Sequence, residues 1–475
     1  MLNLIGGRWV DARDGSTFAV TDPATDELID SVPAGSVDDS RDAVAAAADA
    51  LPAWAGQTAA QRAEVLERIV ASATERTTHL AKVISRESGK PLAEAEGEVR
   101  YALGFLTWAA AEALRVYGET IPAARPEQRM LVLRQPVGVT AAITPWNFPL
   151  AMITRKLGPA LAVGCTQVVK PAPETPLASL AFAEIAVEAG LPPGVLNVVT
   201  GDALGFSEAI FGDPRVRKVS FTGSTQVGQE LIRRSADNVT RLSLELGGHA
   251  PVLILEDADL DVAVGMTMAA KYRNSGQSCV AASRVRVARS RYDEFCAALA
   301  ERSSALRLGR WDTAPDLGPL INDAAVDKVR RHVEDAVAHG ATVLCGGQAV
   351  APGAGLTERF FQPTVLRDVE DSMLVCREET FGPVISVEPF DDVSVAVAAA
   401  NTSPYGLAAY VAGRDAGSLL RVVEALDCGV IGVNDGVPST PHAPFGGMKH
   451  SGIGREGGRY VMEEYLETKY VSLVL

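Results

Sequence analysis

Apolar and polar residues alternate with different periods along the chain, and each change of period predicts a different kind of element. Residues 1–35 hold short apolar runs between turn-forming residues, a pattern that predicts short strands. From 37 to 117 apolar residues recur at helical spacing, and one of the predicted helices ends at Gly89. Residues 118–136 return to an extended pattern, which predicts a strand excursion outside the core.

Short apolar strands alternate with amphipathic segments from about residue 137 to 247. The predicted strands, each followed by a helix, are 138–146, 166–173, 194–201 and 216–224. A second region of the same kind runs from about 250 to 440. Alternation of this length predicts an α/β fold with a parallel, doubly wound sheet. The tail 460–475 ends in an alternating strand, which we expect to pair with another strand, such as one of a second subunit.

The composition narrows the class of protein. The 475 residues carry a formal net charge of −15 without a run of Lys or Arg, which argues against nucleic-acid binding. No apolar run approaches the roughly 18 residues of a membrane span, and the N-terminus lacks the pattern of a signal peptide. The six cysteines are scattered, without zinc-site spacing, which suggests free thiols. We therefore expect a cytoplasmic protein that binds neither a membrane nor a metal.

One cysteine lies in an unusual sequence environment. Cys279 is surrounded by small and polar residues in YRNSGQSCVAAS (272–283), which is typical of a loop and not of a packed core. A loop cysteine is either without a function or exposed for chemistry. Its thiolate is a strong nucleophile near neutral pH, so Cys279 is a candidate for covalent catalysis.

Two further stretches suit a nucleotide. SFTGSTQVG (220–228) places Gly223 and Gly228 at a predicted strand-to-helix turn, where backbone N–H groups favour a pyrophosphate. In VVKPAPETP (168–176), Lys170 ends a predicted parallel strand, at the edge where ligands bind. Each has an ordinary interpretation as well: a glycine-capped turn and a solvated lysine.

These segments together resemble the aldehyde dehydrogenase superfamily. The motifs that carry the resemblance occur in that superfamily's order and spacing: PWNFP (145–149), FTGSTQVG (221–228), LELGGHAP (244–251), GQSC (276–279), EETFGPV (378–384) and PFGGMKHSGIGRE (444–456). The resemblance implies a Rossmann-type cofactor domain, an α/β catalytic domain and a small β oligomerisation extension. The expected bounds are 1–117 with 137–247 for the cofactor domain, 248–450 for the catalytic domain, and 118–136 with 451–475 for the extension.

The resemblance also implies roles for single residues. Cys279 matches the nucleophile, Glu245 the general base and Asn147 the amide of the oxyanion hole. The positions that match the cofactor site, for NADP or NAD, are Trp146, Lys170, Gly223, Ser224, Glu379 and Phe381. Without the resemblance, Asn147 would be interpreted as a turn residue, and the two aromatic residues as ordinary core.

The chemistry of an aldehyde requires residues of these types. A thiolate adds to the carbonyl and gives an alkoxide, which loses hydride and leaves a thioester on the cysteine. The alkoxide needs hydrogen-bond donors, which the Asn147 side chain and the Cys279 N–H can supply. Water must then cleave the thioester, and Glu245 can act as its base because the following glycines leave it room to move.

Within the superfamily the chain is most similar to the succinate-semialdehyde dehydrogenases, in MITRKLGPALAVGC (152–165), KYRNSGQSC (271–279) and the segment 433–471. That resemblance implies that Arg155, Arg273 and Ser439 bind the far carboxylate of the substrate. Two guanidinium groups and a hydroxyl suit an ω-carboxylate through charge-assisted hydrogen bonds. The alternative is that both arginines form structural salt bridges.

Two positions depart from related enzymes. Some relatives carry a second cysteine two residues after the nucleophile, where this chain has Ala281, so we expect no redox-switch disulfide. NAD-preferring relatives often carry a glutamate three residues after the cofactor lysine, where this chain has Pro173. Without that carboxylate, the 2′-phosphate of NADP meets less repulsion, which favours NADP slightly over NAD. The neighbouring Glu174 can, however, take the place of the missing glutamate.

The sequence thus predicts a homodimer or homotetramer that oxidises succinate semialdehyde, or a similar ω-carboxy aldehyde, to the acid. A broad dehydrogenase for aromatic or medium-chain aldehydes is the alternative within the same class. Thioester transfer to coenzyme A is a second alternative, which Glu245 disfavours because it matches a hydrolytic base. A binding protein without activity is the third, disfavoured by the presence of Cys279, Glu245 and Asn147 together.

Overall fold

The computed structural model describes residues 1–474. The N-terminal part has the strands β1 (Asn3–Ile5), β2 (Arg8–Val10), β3 (Thr17–Thr21) and β4 (Leu28–Pro33), and the helices α1 (Val37–Ala55), α2 (Ala59–Glu75), α3 (Thr77–Ser88) and α4 (Leu92–Ala113). Ser36 and Thr58 form capping boxes that begin α1 and α2. Gly89 ends α3 with a left-handed φ of 75°, as its sequence position predicted.

Regular alternation follows a short β excursion. The elements are β5 (Glu119–Ile121), β6 (Gln128–Pro136), β7 (Val139–Ile143), α5 (Pro149–Val163), β8 (Thr166–Lys170), α6 (Leu177–Glu188), β9 (Leu196–Val198), α7 (Ala203–Gly212), β10 (Val216–Thr222), α8 (Thr225–Arg234) and β11 (Arg241–Glu245). The four predicted strands and the helices after them are confirmed. β11 is an additional strand that the apolar pattern did not predict.

The second alternating region is less regular. Its elements are β12 (Ala250–Ile254), α9 (Leu260–Tyr272), β13 (Ala282–Ala288), α10 (Tyr292–Ser304), α11 (Asp323–Ala338), β14 (Thr342–Cys345), β15 (Ala349–Val350), β16 (Phe360–Phe361), β17 (Thr364–Arg367), α12 (Leu374–Arg377), β18 (Val384–Phe390), α13 (Val393–Asn401), β19 (Tyr405–Gly406), β20 (Ala408–Ala412), α14 (Ala416–Ala425) and β21 (Val430–Val433). The C-terminal part adds β22 (Met448–Lys449), β23 (Gly452–Ile453), α15 (Tyr460–Glu463) and β24 (Leu466–Val474).

Two large sheets organise these elements. The first has the order β2-β1-β9-β8-β7-β10-β11-β23, and its strands from β9 to β11 are parallel. From β7 the chain winds outward to β8 and β9 on one side and to β10 and β11 on the other. The strand order therefore reverses between β7 and β10, and a ligand crevice is expected at their carboxyl ends.

The second sheet has the order β14-β17-β18-β13-β12-β20-β21, with an antiparallel pair at the β14 edge. Its central strands are fully buried, because helices cover both faces of a parallel sheet. The doubly wound α/β fold is thus confirmed, with antiparallel strands added at the edges.

A third, three-stranded sheet has the order β24-β6-β5. β24 pairs with β6 along its whole length, from Leu466 opposite Pro136 to Val474 opposite Gln128. The predicted final strand thus finds its partner within the chain, and its other edge stays open.

The C-terminal part of the predicted extension, 451–475, pairs with two different sheets. β23 pairs with β11 and belongs to the first sheet, and α15 packs against α5. Gly452 makes the pairing possible, because a Cβ there would lie 1.9 Å from the carbonyl oxygen of Leu244. The sheet of the extension begins only at Leu466, while the division into domains remains a prediction. Within residues 1–474, no helix is both long and apolar enough to cross a membrane.

Candidate active site

The loop that carries Cys279 has an unusual backbone. After α9, Asn274, Ser275 and Gly276 adopt φ values of 52°, 55° and 76° in succession. Left-handed conformations cost free energy for residues other than glycine, so tertiary contacts must hold this turn. At Gly276 no other residue fits, since a Cβ would lie 2.2 Å from the carbonyl oxygen of Gly382. The small residues noted in the sequence therefore serve a tight turn directly before the cysteine.

Hydrogen bonds from the rest of the fold fix this loop. Ser275 Oγ donates to the carbonyl of Gly318 at 2.8 Å. Gln277 Nε2 donates to Asn274 O at 3.1 Å, while Gln277 Oε1 accepts from Ile321 N at 2.9 Å. Cys279 is half-buried at the end of this fixed turn, whereas the two residues before it are buried.

Asn147 follows β7 and lies beside the cysteine loop. Its Nδ2 donates to Gln277 O at 3.1 Å, and its own carbonyl accepts from Asn274 Nδ2 at 2.9 Å. A side-chain amide has two N–H groups, so one remains for a ligand in the cleft that both Asn147 and Cys279 line. The geometry suits the predicted role of an oxyanion donor.

Burial opposes ionisation of the Cys279 thiol. Burial, reinforced by the charges of Glu379 and Glu245, raises the pKa of Cys279 to about 12, while Arg155 acts in the opposite direction. This environment disfavours the thiolate form of Cys279. Its nucleophilic form requires a proton acceptor or a further positive charge at the site.

Glu245 lies at the end of β11 and is only 3% exposed. Its Oε1 is next to Gly446, where a Cβ would come within 2.8 Å, and its Oε2 has no hydrogen-bond partner in the part of the chain that the structure describes. Burial and then the charge of Glu456 raise the pKa of Glu245 well above its ordinary value. A buried carboxylate with an elevated pKa is typical of a general base that works near neutral pH.

A cleft of about 380 Å³ opens at the carboxyl ends of β7 and β10. It is lined by seven of the predicted residues: Trp146, Asn147, Gly223, Ser224, Cys279, Glu379 and Phe381. The rings of Trp146 and Phe381 meet edge to face, with 5.6 Å between their centroids. The structure thus brings the predicted nucleophile, the amide and most of the predicted cofactor residues to one crevice.

The residues present suit a dinucleotide. Ser224 caps α8 by accepting from Val227 N at 3.3 Å, and the first turn of this helix presents N–H groups to an anion. Glu379 accepts from Gly248 N at 3.1 Å, and burial raises its pKa to about 7. An ionised carboxylate there can accept hydrogen bonds from ribose hydroxyls.

Lys170 does not line the cleft in this structure. It ends β8, is buried, and donates to the carbonyl of Pro171 at 3.2 Å. Burial lowers the pKa of Lys170 to about 8, and Glu174 acts against this shift. Glu174 therefore lies near enough to Lys170 for its charge to raise the pKa of the lysine. It is next in the chain to Pro173, where NAD-preferring relatives often carry a glutamate.

Sequence reasoning missed other residues that line the cleft, including Asn322, Lys328 and Thr380. Thr380 could have been found, because it lies inside the quoted EETFGPV motif. Lys328 lies on the charged helix α11 and lowers the pKa of Glu379, but a lysine on such a helix resembles any solvated lysine in the sequence.

The two predicted substrate arginines lie in different environments. Arg155 is 2% exposed, with its Nε 2.9 Å from Glu456 Oε2 and its guanidinium 4.1 Å from the centre of the Phe445 ring. Its Nη2 finds no acceptor among residues 1–474. Glu456 also binds Lys156, Nζ to Oε1 at 2.5 Å. Arg155, which the resemblance assigned to the substrate, is thus part of a buried ion-pair cluster, as in the alternative of a structural salt bridge.

Arg273 and Ser439 line a smaller cavity, together with Ser278 and Val280, the two neighbours of Cys279 in the chain. The Arg273 guanidinium packs on the rings of Phe148, at 4.6 Å, and Tyr101, at 5.6 Å. The Tyr101 and Ser439 hydroxyls share a hydrogen bond. This cavity of about 10 Å³ is therefore next to the Cys279 loop and is lined by a cation.

Comparison with known proteins agrees with this geometry. Residues 9–471 match the model of the aldehyde dehydrogenase family. The chain is 48% identical over 473 residues to the succinate-semialdehyde dehydrogenase [NADP(+)] of Escherichia coli (strain K12), covering 99% of this chain and 97% of that protein. It is 48% identical over 470 residues to a glutarate-semialdehyde dehydrogenase of Pseudomonas putida, with coverage of 99% and 97%. The crystal structure of succinate-semialdehyde dehydrogenase from Burkholderia pseudomallei, 47% identical, superposes with a TM-score of 0.98, covering 100% of this chain and 98% of that one.

Proposed function

The chain belongs to the aldehyde dehydrogenase family and is an NAD(P)-dependent aldehyde dehydrogenase, and on that premise we propose that it oxidises succinate semialdehyde or a similar ω-carboxy aldehyde to the acid. One observation carries the choice of substrate. Arg273 and Ser439 line a cavity whose wall includes both chain neighbours of Cys279. The cavity has a volume of only about 10 Å³, so we propose that its side chains move apart to admit the far carboxylate, which the guanidinium and the hydroxyl then bind.

The named relatives support this proposal. The Escherichia coli enzyme is named for succinate semialdehyde and the Pseudomonas putida enzyme for glutarate semialdehyde, and both substrates carry a terminal carboxylate. The two differ by one methylene group, and a methylene in a pocket typically changes binding by only about 1–3 kcal/mol. The ω-carboxy aldehyde is therefore the class that we propose, with succinate semialdehyde as the first candidate.

Three side chains carry the proposed chemistry. The Cys279 thiol gives up its proton to water, its sulfur adds to the aldehyde carbon, and the free N–H of Asn147 and the backbone N–H of Cys279 stabilise the resulting oxyanion. The bound nicotinamide cofactor supplies the hydride acceptor. Glu245, whose pKa is raised by burial, then takes a proton from the water that cleaves the thioester. The family's roles for these residues remain proposals for this chain.

For the cofactor we propose NADP in preference to NAD. Pro173 supplies no carboxylate beside Lys170, so a 2′-phosphate meets less repulsion there, and the lysine supplies a positive charge. The name of the Escherichia coli relative, which specifies NADP(+), agrees with this choice.

The test is the rate of NAD(P)H formation with succinate semialdehyde, measured with NADP and with NAD and without coenzyme A. Butanal, a neutral aldehyde of the same chain length, is the control substrate. We expect kcat/KM for the semialdehyde to exceed that for butanal by about 100-fold, since the charge-assisted contacts are missing with butanal. Equal values for the two substrates would assign the enzyme to neutral aldehydes, and a dependence on coenzyme A would assign it to thioester transfer.

We also propose that the enzyme assembles into a homodimer or homotetramer. The outer edge of β24 is open, and this strand exposes Tyr470, Leu473 and Val474 by 54%, 41% and 57%. Open edges with apolar side chains favour pairing with another chain. Light scattering coupled to size-exclusion chromatography tests this, and a monomer would contradict it.

The six free cysteines further support a reducing compartment such as the cytoplasm.

A further inference from the structure

The start of helix α4 touches both of the loops that form the candidate active site. Glu94 and Glu98 lie four residues apart on one face of this helix, and Lys90, just before the helix, pairs with Glu98. In a sequence, charges at this spacing usually indicate a solvated surface. Here the side chains of Lys90 and Glu98 are each 1% exposed, so this charged face points into the protein.

Lys90 is bound to the backbone of the proposed oxyanion residue. Its Nζ donates to the carbonyl oxygen of Asn147 at 2.8 Å and forms a buried ion pair with Glu98. The same ammonium lies 4.2 Å from the centre of the Phe148 ring, next in the chain. Lys90 thereby holds the peptide unit that follows the Asn147 Cα.

Glu98 fixes the chain immediately after Asn147. Helix α5 begins without a side-chain cap of its own at Phe148, and Glu98 Oε1 accepts from Leu150 N at 3.0 Å and from Ala151 N at 3.3 Å instead. A carboxylate at a helix N-terminus is favourable because it satisfies free N–H groups and the helix dipole. The first turn of α5 is therefore held in place by a residue of α4.

Glu94 extends the same arrangement to the nucleophile loop. Its Oε2 accepts from Asn274 N at 2.9 Å, and Asn274 is the first of the left-handed residues before Cys279. Asn274 Nδ2 in turn donates to the carbonyl of Asn147. That single carbonyl therefore receives hydrogen bonds from Lys90 and from the cysteine loop, and α4 connects the two.

We propose that Lys90 and Glu98 are positioning residues, which hold the Asn147 side chain at the oxyanion site, and that Glu94 does the same for the turn before Cys279. This inference rests on the proposed function, because it presumes that Asn147 is the oxyanion donor. Oxyanion stabilisation depends on accurate placement of the donor, and a misplacement of about 1 Å can cost about 100-fold in rate. A protein is seldom more stable with a buried ion pair than with apolar residues in its place, so stability alone does not explain the Lys90–Glu98 pair. Its location at the Asn147 carbonyl favours a role in catalysis instead.

The principal test combines Lys90→Met with Glu98→Gln. The double substitution avoids a buried unpaired carboxylate, and the amide oxygen of the glutamine can still accept from the first turn of α5. We expect kcat to fall about 10- to 100-fold, while KM for the cofactor stays within about twofold. The alkylation rate of Cys279 with iodoacetamide should remain at the wild-type value. Glu96→Gln, on the same helix turn but outside this face, is the matched control and should leave kcat unchanged.

The decisive measurement repeats the pair of substitutions in an Asn147→Ala background. If Lys90 and Glu98 act through Asn147, they reduce kcat no further once its amide is gone. Reductions that multiply would overturn the positioning role and leave the proposed function intact. Asn147→Ala with a wild-type kcat would overturn the oxyanion role itself, and the positioning role with it.

Glu94→Gln provides a second measurement should the pair of substitutions prevent folding. Glu94 is only half-buried, and a glutamine oxygen can still accept a weaker hydrogen bond from Asn274 N. We expect kcat to fall about threefold to tenfold, the equivalent of weakening one charge-assisted hydrogen bond by about 1 kcal/mol, with an unchanged unfolding temperature. A wild-type kcat in this variant would overturn the part of the proposal that concerns the cysteine loop.

Discussion

The two arginines predicted to bind the substrate lie in contrasting surroundings. Arg155 is enclosed by Glu456 and two phenylalanine rings and belongs to a buried ion-pair cluster. Arg273 is half-buried, stacks on Phe148 and Tyr101, and forms no ion pair with any residue from 1 to 474. The resemblance to succinate-semialdehyde dehydrogenases implies the same role for both. The structure shows one arginine with a carboxylate partner and one without.

This difference indicates how a substrate carboxylate would be bound. Arg273 is half-buried, forms no ion pair in the described chain and interacts with Glu94 only at longer range, so its guanidinium can bind an anionic ligand. Arg155 has already gained a carboxylate, although its Nη2 finds no acceptor in the described chain and could still meet the ligand. We therefore infer that Arg273 contributes most to substrate selection and Arg155 most to the structure and electrostatics of the site.

The carboxylates near Arg155 show the electrostatic part of its role. Lys156 and Arg155 lower the pKa of Glu456, against the effect of burial. Glu245 lies close to Glu456 but has no such direct partner, and its pKa is raised. Neighbouring carboxyl groups whose pKa values are pushed apart are typical of an active site in which only one of them takes up a proton.

The largest effect that distinguishes the two arginines should be on stability. Arg155→Leu leaves Glu456 with only Lys156 as its partner in a buried site, and breaking a buried pair typically costs about 3–5 kcal/mol. Arg273→Leu removes no ion pair, and we expect its free energy of unfolding to stay within about 1 kcal/mol of wild type. Urea denaturation of both variants checks this. Equal stabilities would remove the basis for the comparison.

The second effect should be on substrate selection. Arg273→Leu removes charge-assisted hydrogen bonds to the substrate, each worth about 1.5–3 kcal/mol, so kcat/KM for succinate semialdehyde should fall about 10- to 150-fold. The value for butanal should stay the same or rise, because the cavity becomes apolar. Arg273→Lys is the matched control and should recover only part of the loss, since an ammonium cannot bind a carboxylate in the bidentate manner.

Two outcomes would contradict the assignment of Arg273. If Arg273→Leu leaves KM for the semialdehyde unchanged while Arg155→Leu raises it, the roles of the two arginines are exchanged. If replacing both with Leu leaves KM unchanged, the substrate is bound by other residues, and the arginines serve only the structure.

Much of the fold followed from apolar periodicity, because parallel strands and their helices are long and regular. Strands such as Val139–Ile143 and Thr166–Lys170 lie where the pattern predicted them. β23, by contrast, has two residues, and no periodicity could have indicated that it joins the first sheet. Its position depends on close backbone contact at Gly452, which only the tertiary structure reveals.

The same limit applies to the candidate site. The sequence indicated that Arg155 lies within a helix, but its partner Glu456 is far away in the chain, and nothing in the local sequence links the two. Lys90 and Glu98 were not identified from the sequence, because charged residues near the start of a helix are usually solvated. Which charges are buried depends on how α4 packs against α5, and local sequence does not determine that.

The third effect concerns the hydroxyl groups beside Arg273. Ser439→Ala removes a neutral donor from the cavity and leaves the Tyr101 hydroxyl without its partner. We expect KM for succinate semialdehyde to rise about twofold to tenfold, in line with about 0.5–1.5 kcal/mol for one neutral hydrogen bond. Tyr101→Phe should give a smaller rise, because Ser439 itself remains. A rise as large as that of Arg273→Leu would show that the hydroxyl and not the guanidinium is the main contact.

The smallest effect that distinguishes the two arginines should be on the pH dependence of kcat. Glu245 must be ionised to act as a base, so kcat should rise with pH through its elevated pKa. Arg155 is among the charges that lower this pKa, after the larger and opposing effects of burial and Glu456, whereas Arg273 is not among those charges. Arg155→Leu should therefore raise the pKa of Glu245 further and move the rising limb of the kcat profile to higher pH, while Arg273→Leu leaves the limb in place. Single-turnover and steady-state pH profiles of kcat, measured where both variants are folded, check the direction of this shift. A rising limb that moves to lower pH in Arg155→Leu would show that Arg155 does not lower the pKa of Glu245.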